Sequence, residues 1–136
     1  MGLKLAALAA AAALVAAPAD YLVARQQADG GFAEPGGRPD PALTAWAVLG
    51  LRAAGRHPGR SPVDYLRQAP IHDTTDLALR VLALRALGAD VAELTARLER
   101  QRRRDGRIGT LVNSTAWGAL ALDRPGAATV RYLLRA

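Results

Sequence analysis

Cysteine is absent from this chain of 136 residues, which excludes disulfides, thiolate zinc sites and cysteine nucleophiles. The same absence leaves the redox compartment undecided. Aromatic residues are only 4% of the chain and β-branched residues are few, so strands are not expected. The two histidines, His57 and His72, stand singly and without a second ligand at metal spacing. We therefore expect an all-α protein that binds no metal or cofactor.

Lysine is nearly absent as well, since Lys4 stands against seventeen arginines and the formal net charge is +6. A GC-rich genome would produce both the arginine bias and the abundant alanine without selection for anion binding. The arginines are spread over the predicted helices, with one run at Arg102–Arg104, and aromatic groups that could stack on bases are scarce. We expect no nucleic-acid partner; a basic nucleic-acid binder, the alternative, would lose affinity steeply with added salt.

The first nineteen residues have the pattern of an export signal. Lys4 supplies a positive start, Leu5–Val15 is an uncharged and largely apolar run, and Ala17-Pro18-Ala19 fits a small-x-small cleavage site. The run is too short to span a bilayer, which needs about 20 apolar residues. The sequence thus predicts a signal peptide at 1–19, a repeat domain at 20–136 and an exported protein. Alternatively, these alanines form the outer helix of the first repeat, because alanine is the best helix former.

An internal repeat is the most informative feature of the chain. Thr44-Ala45-Trp46-Ala47 recurs 71 positions later as Thr115-Ala116-Trp117-Gly118, and each copy follows a loop that contains Asp-Gly. A third apolar run, Leu77–Gly88, matches the first at an offset of 33. Such a period indicates stacked units, none of which can bury its apolar face alone.

The end signals of helices divide the chain into seven helical segments of two alternating kinds. Three segments are apolar nearly all round, as expected for helices inside a structure: Ala42–Ala54, Leu77–Leu87 and Ser114–Leu122. Two intervening segments, Pro62–Gln68 and Val91–Arg103, carry charge on one face and suit an outer layer. The predicted starts are Asp40 before Pro41, capping boxes opening at Ser61, Asp73 and Asp90, and a cap at Asn113 or Ser114.

The loops that precede the tryptophan runs resemble the repeat signature of the prenyltransferase and squalene-oxidase repeat family. Its terms are an aromatic-Leu pair, a glutamine and Gly-x-aromatic, which Tyr21-Leu22, Gln26, Gly30 and Phe32 meet. The second copy keeps Gln101, Asp105 and Gly106, but Ile108 replaces the aromatic residue and the gap is one residue longer. The resemblance covers nearly all of 20–136. It implies a partial α/α toroid of about three stacked helical hairpins.

The motif residues are expected to brace the structure. The glutamine amide can pair with open carbonyls and amides at helix ends, and the aspartates can accept from N–H groups of their turns. The glycines permit positive φ, Phe32 is expected beneath its loop, and both tryptophans are expected in the core. These structural residues are Gln26, Asp29, Gly30, Gly31, Phe32, Trp46, Gln101, Asp105, Gly106 and Trp117.

Catalytic signals are weak. In class II terpene cyclases of the resembled family, the acid is the second aspartate of an Asp-x-Asp-Asp motif, and the nearest string here is Asp73-Thr74-Thr75-Asp76. Thr75 holds the position of the acid, and a hydroxyl cannot protonate an alkene. Asp73 and Asp76 are therefore only weak catalytic candidates, which a helix capping box explains better. Prenyltransferase β subunits of the resembled family hold zinc with Asp, Cys and His, and this chain has no cysteine.

These observations favour an exported, non-catalytic repeat module with a binding or scaffolding role. By resemblance, the ligand is a hydrophobic small molecule such as an isoprenoid, or a peptide. The alternative is an N-terminal fragment of a terpene cyclase-like enzyme whose acid lies elsewhere. Tyr132-Leu133 matches Tyr21-Leu22 and begins a further unit, so an apolar edge is left bare. We therefore expect self-association, a missing partner segment or a truncated reading frame.

Overall fold

The computed structural model describes residues 18–136, and within that range it contains helices and no strand. The all-α prediction is confirmed for this part of the chain. Most of the predicted leader, residues 1–17, lies outside the described residues. None of the described helices is long and apolar enough to cross a membrane. The helices are α1 (described over 18–24), α2 (Pro41–Ala53), α3 (Val63–Gln68), α4 (Thr74–Ala86), α5 (Ala92–Glu99), α6 (Val112–Ala121) and α7 (Ala127–Leu133).

Two inner helices begin where their capping signals predict. Asp40 caps α2 by accepting from the N–H of Leu43 at 2.7 Å, and Pro41 occupies the first turn. Asp73 caps α4 by accepting from the N–H of Asp76 at 2.9 Å. Because these side chains satisfy amides that a helix start leaves open, each start is fixed locally.

Other helix ends differ from the prediction. The N-cap of α3 is Pro62, which has no side chain able to accept, so the predicted capping box at Ser61 is not formed. Helix α5 ends at Glu99 instead of Arg103, because the backbone turns there into the second Asp-Gly loop. Helix α6 begins at Val112, before both predicted caps.

The helices form an inner row and an outer row. In the inner row, α4 lies between α2 and α6 and packs against both more extensively than any other pair of helices packs. On the outer side, α3 contacts α2 and α4, α5 contacts α4, and α7 contacts α6. The predicted alternation of inner and outer helices is therefore present. The apolar inner helices pack together because each offers alanine and leucine on more than one side.

The repeat offsets of 33 and 71 align the three inner helices residue by residue. Val48 of α2 and Val81 of α4 are equivalent under the first offset, and both are fully buried. Trp46, Leu79 and Trp117 are likewise equivalent in α2, α4 and α6. This alignment lets the environment of one position be compared between successive units.

The core consists of three clusters, one for each step along the row. The first joins α1 to α2, the second joins α2 and α3 to α4, and the third joins α4 to α5 and α6. The clusters are built around Ala19, Phe32 and Leu51; around Val48, Leu66 and Ala83; and around Leu77, Leu98 and Ile108.

Candidate functional site

Gln26 braces the first loop with both ends of its amide. Its Nε2 donates to the carbonyl of Gly30 at 2.9 Å and to that of Arg60 at 2.8 Å. Its Oε1 accepts from the N–H of Arg60 at 2.8 Å. One side chain thus ties the end of α1 to the segment that leads into α3, as a glutamine with two donors and an acceptor can do.

The turn after Gln26 is held by Asp29 and two glycines. Asp29 Oδ1 accepts from the N–H of Gly31 at 2.9 Å. Gly30 has φ of +89°, and a Cβ there would lie 2.5 Å from the carbonyl oxygen of Ser61, so both conformation and space require glycine. Gly31, for which a positive φ was expected, does not have one. Its need is steric, because a Cβ would lie 3.0 Å from the ring of Tyr65.

Phe32 ends the first loop and is buried, with an exposed fraction of 1%. Its N–H donates to the hydroxyl of Thr44 at 2.9 Å, and this hydroxyl donates to the carbonyl of Asp40 at 2.7 Å. The side chain packs with Ala47 and Leu51 of α2. The loop is therefore anchored to the inner helix by a hydrogen bond and by apolar contact together.

The second loop has the same backbone hydrogen bonds as the first. They give a different residue alignment from the one obtained by matching Gln26 with Gln101 by residue type. Gln27 N–H donates to Gly31 O at 2.8 Å in the first loop, and Arg103 N–H donates to Arg107 O at 2.7 Å in the second. An isolated bridge pairs residues 26 and 32, and its counterpart pairs 102 and 108. The structural equivalent of Gln26 is therefore Arg102, and the alignment of Gln26 with Gln101 is wrong by one residue.

Arg102 performs the bridging role in the second loop. It forms two 2.7 Å hydrogen bonds to the carboxylate of Glu99 and donates to Thr129 Oγ1 of α7 at 2.7 Å. Gly106, with φ of +95°, approaches α7 so closely that a Cβ would lie 2.2 Å from the carbonyl oxygen of Ala128. The first loop thus contacts the segment that leads into α3, and the second loop contacts α7.

Gln101 and Asp105 also have structural partners. Gln101 Oε1 accepts from the hydroxyl of Thr74 at 2.6 Å, which links the second loop to the start of α4. Asp105 accepts from the N–H of Arg107 at 3.0 Å and from its Nε at 2.8 Å. The backbone hydrogen bond from Arg107 is the main cause that lowers the pKa of the Asp105 carboxyl below its ordinary value.

Ile108 takes the place of Phe32 in the second loop. Its N–H donates to the hydroxyl of Thr115 at 3.1 Å, as the N–H of Phe32 does to Thr44. Its side chain is fully buried against Gly118, where a Cβ would lie 2.8 Å from Ile108 Cγ2. Because the branched side chain of Ile108 leaves no room for a Cβ here, Gly118 stands where the first copy has Ala47.

The middle unit has no such loop, and Arg80 of α4 supplies its brace. The repeat offsets align Arg80 with Ala47 and Gly118, the positions on which Phe32 and Ile108 rest. Its guanidinium donates to the carbonyls of Ala69 and Pro70, the latter at 2.7 Å, and only 2% of the residue is exposed.

Burial is the largest cause that lowers the pKa of Arg80, and the nearby charge of Arg97 acts in the same direction. Asp76 opposes this shift. Arginine stays protonated under these conditions because its ordinary pKa is so high. Arg80 therefore holds a buried charge at the wall of a cleft of about 620 Å³, which Arg67, Asp90 and Glu93 also line.

Trp46 and Trp117 form an edge-to-face pair, with ring centroids 5.0 Å apart and planes at 85°. Trp117 packs against the two clusters that contain α4, whereas 47% of Trp46 is exposed. The expectation of a core position is therefore wrong for Trp46. Leu79, the equivalent residue of α4, is 3% exposed. The side chains of the first and third units thus meet, although α4 lies between α2 and α6.

Asp73 and Asp76 both act at the start of α4. Asp73 accepts from the N–H of Asp76, and Asp76 Oδ2 accepts from the N–H of His72 at 3.2 Å. The arrangement is the capping interaction that the sequence predicts. Among residues 18–136, no group of three histidine, cysteine, aspartate or glutamate side chains is placed to hold a metal ion.

Sequence reasoning missed three of the bracing residues. Thr44 and Thr115 recur before Ala-Trp at the 71-residue offset, and this recurrence could have identified them as loop anchors. Arg80 is a charge in the middle of an otherwise apolar helix, at a position where the other copies have Ala47 and Gly118. A lone charge at a repeat position occupied by small residues indicates a buried partner.

Comparisons of the chain with models of protein families, with curated proteins and with solved structures found no match in any of the three.

Proposed function

We propose that this chain is a non-catalytic helical-repeat module of the α/α-toroid type that binds an apolar ligand on its concave side. The ligand class is a hydrophobic small molecule, with an isoprenoid chain as the type, or an apolar peptide. The single observation that carries the proposal is the Trp46–Trp117 pair above Leu79. The resemblance of the first loop to the prenyltransferase and squalene-oxidase repeat supports the toroid type.

The contact between the two tryptophans supports a toroid-like arc. Trp46, Leu79 and Trp117 are equivalent positions on α2, α4 and α6, and the first and third touch although α4 lies between their helices. We therefore place the concave side of the arc where these three residues lie.

The exposed part of Trp46 gives this concave side its chemistry. An indole that is half exposed offers a large apolar face at little cost in conformational entropy, and its N–H can find a polar partner. Trp117 supports it from below in a fixed edge-to-face orientation. The site is thus suited to stack on an alkenyl chain or on the apolar side chains of a peptide.

A scaffolding role accounts for the polar residues of the motif better than chemistry does. Gln26, Arg102 and Arg80 each tie one structural element to the backbone or side chain of another. Asp73 and Asp76 are engaged in capping α4. These hydrogen bonds fix the relative positions of the helices, which a binding surface made of several helices requires.

Tryptophan fluorescence tests the proposed site directly. The chain has only two tryptophans, and both belong to the pair, so the emission reports on this site alone. We expect farnesol, or failing that an alanine- and leucine-rich peptide, to change the emission saturably. Trp46→Ala should weaken binding of the same probe, measured calorimetrically, by about 2 kcal/mol, or roughly 30-fold in Kd.

Tyr21→Ala is the matched control, because Tyr21 is a similarly exposed aromatic residue outside the pair, with 53% exposure. Its Kd should equal that of the wild type. If neither probe changes the emission, or if Trp46→Ala binds as well as the wild type, the proposed concave site is refuted.

Export belongs to the same proposal and has its own test. Ala19, the residue before the predicted cleavage point, is 3% exposed and packs with Phe32, Ala47 and Leu51. Cleavage after Ala19 would remove this side chain from the first cluster. Mass spectrometry of the secreted protein should find Asp20 at the N-terminus, and recovery of chains that still begin at Met1 from the cytosol alone would contradict export.

A further inference from the structure

The cleft beside Arg80 joins charged and apolar side chains in one cavity of about 620 Å³. It is lined by the end of α3 and the segment that follows it, by α4 at Arg80, and by the start of α5. The charged lining residues are three arginines and two acids: Arg67, Arg80, Arg97, Asp90 and Glu93. The apolar wall includes Pro70, Ile71, Val91 and Leu94. The cleft thus combines an excess of positive charge with an apolar surface.

Arg80 is a buried charge without a carboxylate partner. Its guanidinium donates to the neutral carbonyls of Ala69 and Pro70, and only 2% of the residue is exposed. Among residues 18–136, none of the ion pairs within 4.0 Å involves Arg67, Arg80 or Arg97. A buried arginine is ordinarily paired with an opposite charge, because the desolvation of an unpaired charge is costly. A ligand in the cleft can supply that charge.

The like charge of Arg97 adds to the cost of holding Arg80 in its ionised form. Burial is the largest cause that lowers the pKa of Arg80, and Arg97 lowers this pKa further. An anion beside the two guanidinium groups would oppose both causes. Asp76 already acts in that direction, but its Oδ2 accepts from the N–H of His72 and it does not line the cleft.

The acids of the cleft limit the charge of such an anion. Asp90 Oδ1 accepts from the N–H of Ala92 at 3.0 Å, which holds this carboxylate at the start of α5. Glu93 is exposed in the first turn of the same helix. Three positive and two negative side chains leave a single net positive charge, so a monoanion is favoured over doubly charged phosphate. The apolar wall favours an apolar body on the same molecule.

We propose that this cleft binds a small organic monocarboxylate, with its carboxylate toward Arg80 and Arg97 and its apolar body against the apolar wall. Guanidinium N–H groups and a carboxylate form charge-assisted hydrogen bonds, which are stronger than those between neutral groups. The site uses neither Trp46 nor Trp117, so it is independent of the function proposed above.

Isothermal titration calorimetry of the full chain with sodium hexanoate tests the site. Hexanoate should bind saturably, and hexanamide, which has the same apolar body without the charge, should bind about 10-fold more weakly. Added sodium chloride should weaken hexanoate binding, because Arg97 is exposed to solvent. No saturable binding of hexanoate, or an equal Kd for the amide, would overturn the proposal. Tighter binding of inorganic phosphate than of hexanoate would overturn the monocarboxylate class.

Three variants locate the bound hexanoate. Arg97→Gln should raise its Kd about 10-fold, because one guanidinium is lost. Glu93→Gln should lower the Kd roughly threefold, because a repelling carboxylate is lost. Arg100→Gln is the matched control: it removes the same charge from the end of α5, outside the lining of the cleft, and should keep the wild-type Kd.

All three substituted side chains are exposed, so each variant should fold as the wild type does. Equal binding by Arg97→Gln and Arg100→Gln would place hexanoate elsewhere on the molecule. Tighter binding by Arg97→Gln, or weaker binding by Glu93→Gln, would mean that the cleft prefers a cation. Each of these results would overturn the proposal.

Discussion

The hydroxyl of Thr44 accepts a hydrogen bond from the N–H of Phe32 at 2.9 Å, and this contact fastens the first Asp-Gly loop to the inner helix α2. Thr115 makes the same contact with Ile108 at 3.1 Å. The loops differ in length before the threonine and in the residue that is buried. The hydrogen bond occurs in both copies because the loop N–H is buried in each, where water cannot accept from it.

Replacing either threonine with valine should therefore destabilise the fold while keeping its shape. Thr44→Val and Thr115→Val each leave a buried N–H without a partner, which costs about 1 to 3 kcal/mol. Urea unfolding followed by circular dichroism measures the loss. Thr110→Val, at an exposed site, is the control and should unfold as the wild type does. Equal stability of all three variants would show that neither hydroxyl anchors its loop.

Gln26→Ala should lower the free energy of unfolding by about 1 kcal/mol or more, because it removes the hydrogen bonds of the amide to the carbonyl of Gly30 and to the backbone of Arg60. The adjacent Gln27 is exposed and donates only to the carbonyl of Arg25, two residues away. Gln27→Ala is thus a control that removes the same side chain without the brace. A Gln26→Ala protein with the wild-type urea midpoint would refute the bracing role.

Arg80→Met should destabilise the middle unit by about 2 kcal/mol, because the two carbonyls that Arg80 binds lose their donor. Methionine keeps much of the apolar volume, so the cost reports mainly on the lost hydrogen bonds. Arg67→Met, at an exposed site on the same cleft, should change stability little. If the two variants unfold alike, the guanidinium of Arg80 does not replace the missing loop.

Stability on the acid side should depend on Asp105. Its pKa is lowered in the folded protein, chiefly by the N–H of Arg107, so the ionised form is favoured by folding. The resulting stabilisation is present above the pKa of the unfolded chain and is lost as pH falls through the folded pKa. Carboxyl-carbon NMR should find a lower midpoint for Asp105 in the folded than in the urea-unfolded protein.

Asp105→Asn gives a second measurement of the same effect. Its stability should fall less steeply than that of the wild type as pH is lowered through the acid range, because the titrating carboxyl has been removed. An Asp105 midpoint equal in the folded and unfolded chains would rule out the linkage.

Much of the local structure could be predicted from residue patterns. Asp40 and Asp73 mark helix starts because a short acceptor side chain before an apolar run satisfies amides within its own turn. Gly30 and Gly106 mark tight turns because few other residues adopt positive φ. These effects act over a few residues, so the sequence alone contains them.

The register of the second loop could not be read in this way. Gln101 matches Gln26 in residue type, but Arg102 matches it in backbone geometry. Gln26 bonds the backbone of Arg60, whereas Arg102 bonds the side chain of Thr129 on α7. Residue identity was therefore misleading where the bonded partner differs between the two copies.

Residue order was enough to predict the helical segments, their alternation between inner and outer rows, and the repeat offsets of 33 and 71 residues, because apolar periodicity and capping are properties of neighbouring residues. The half-exposed position of Trp46 beside Trp117, and the role of Arg80 where the middle unit has no loop, became visible only in the packed molecule. Both depend on which helix lies next to which. Contacts between units set this arrangement, and no single segment of the sequence contains it.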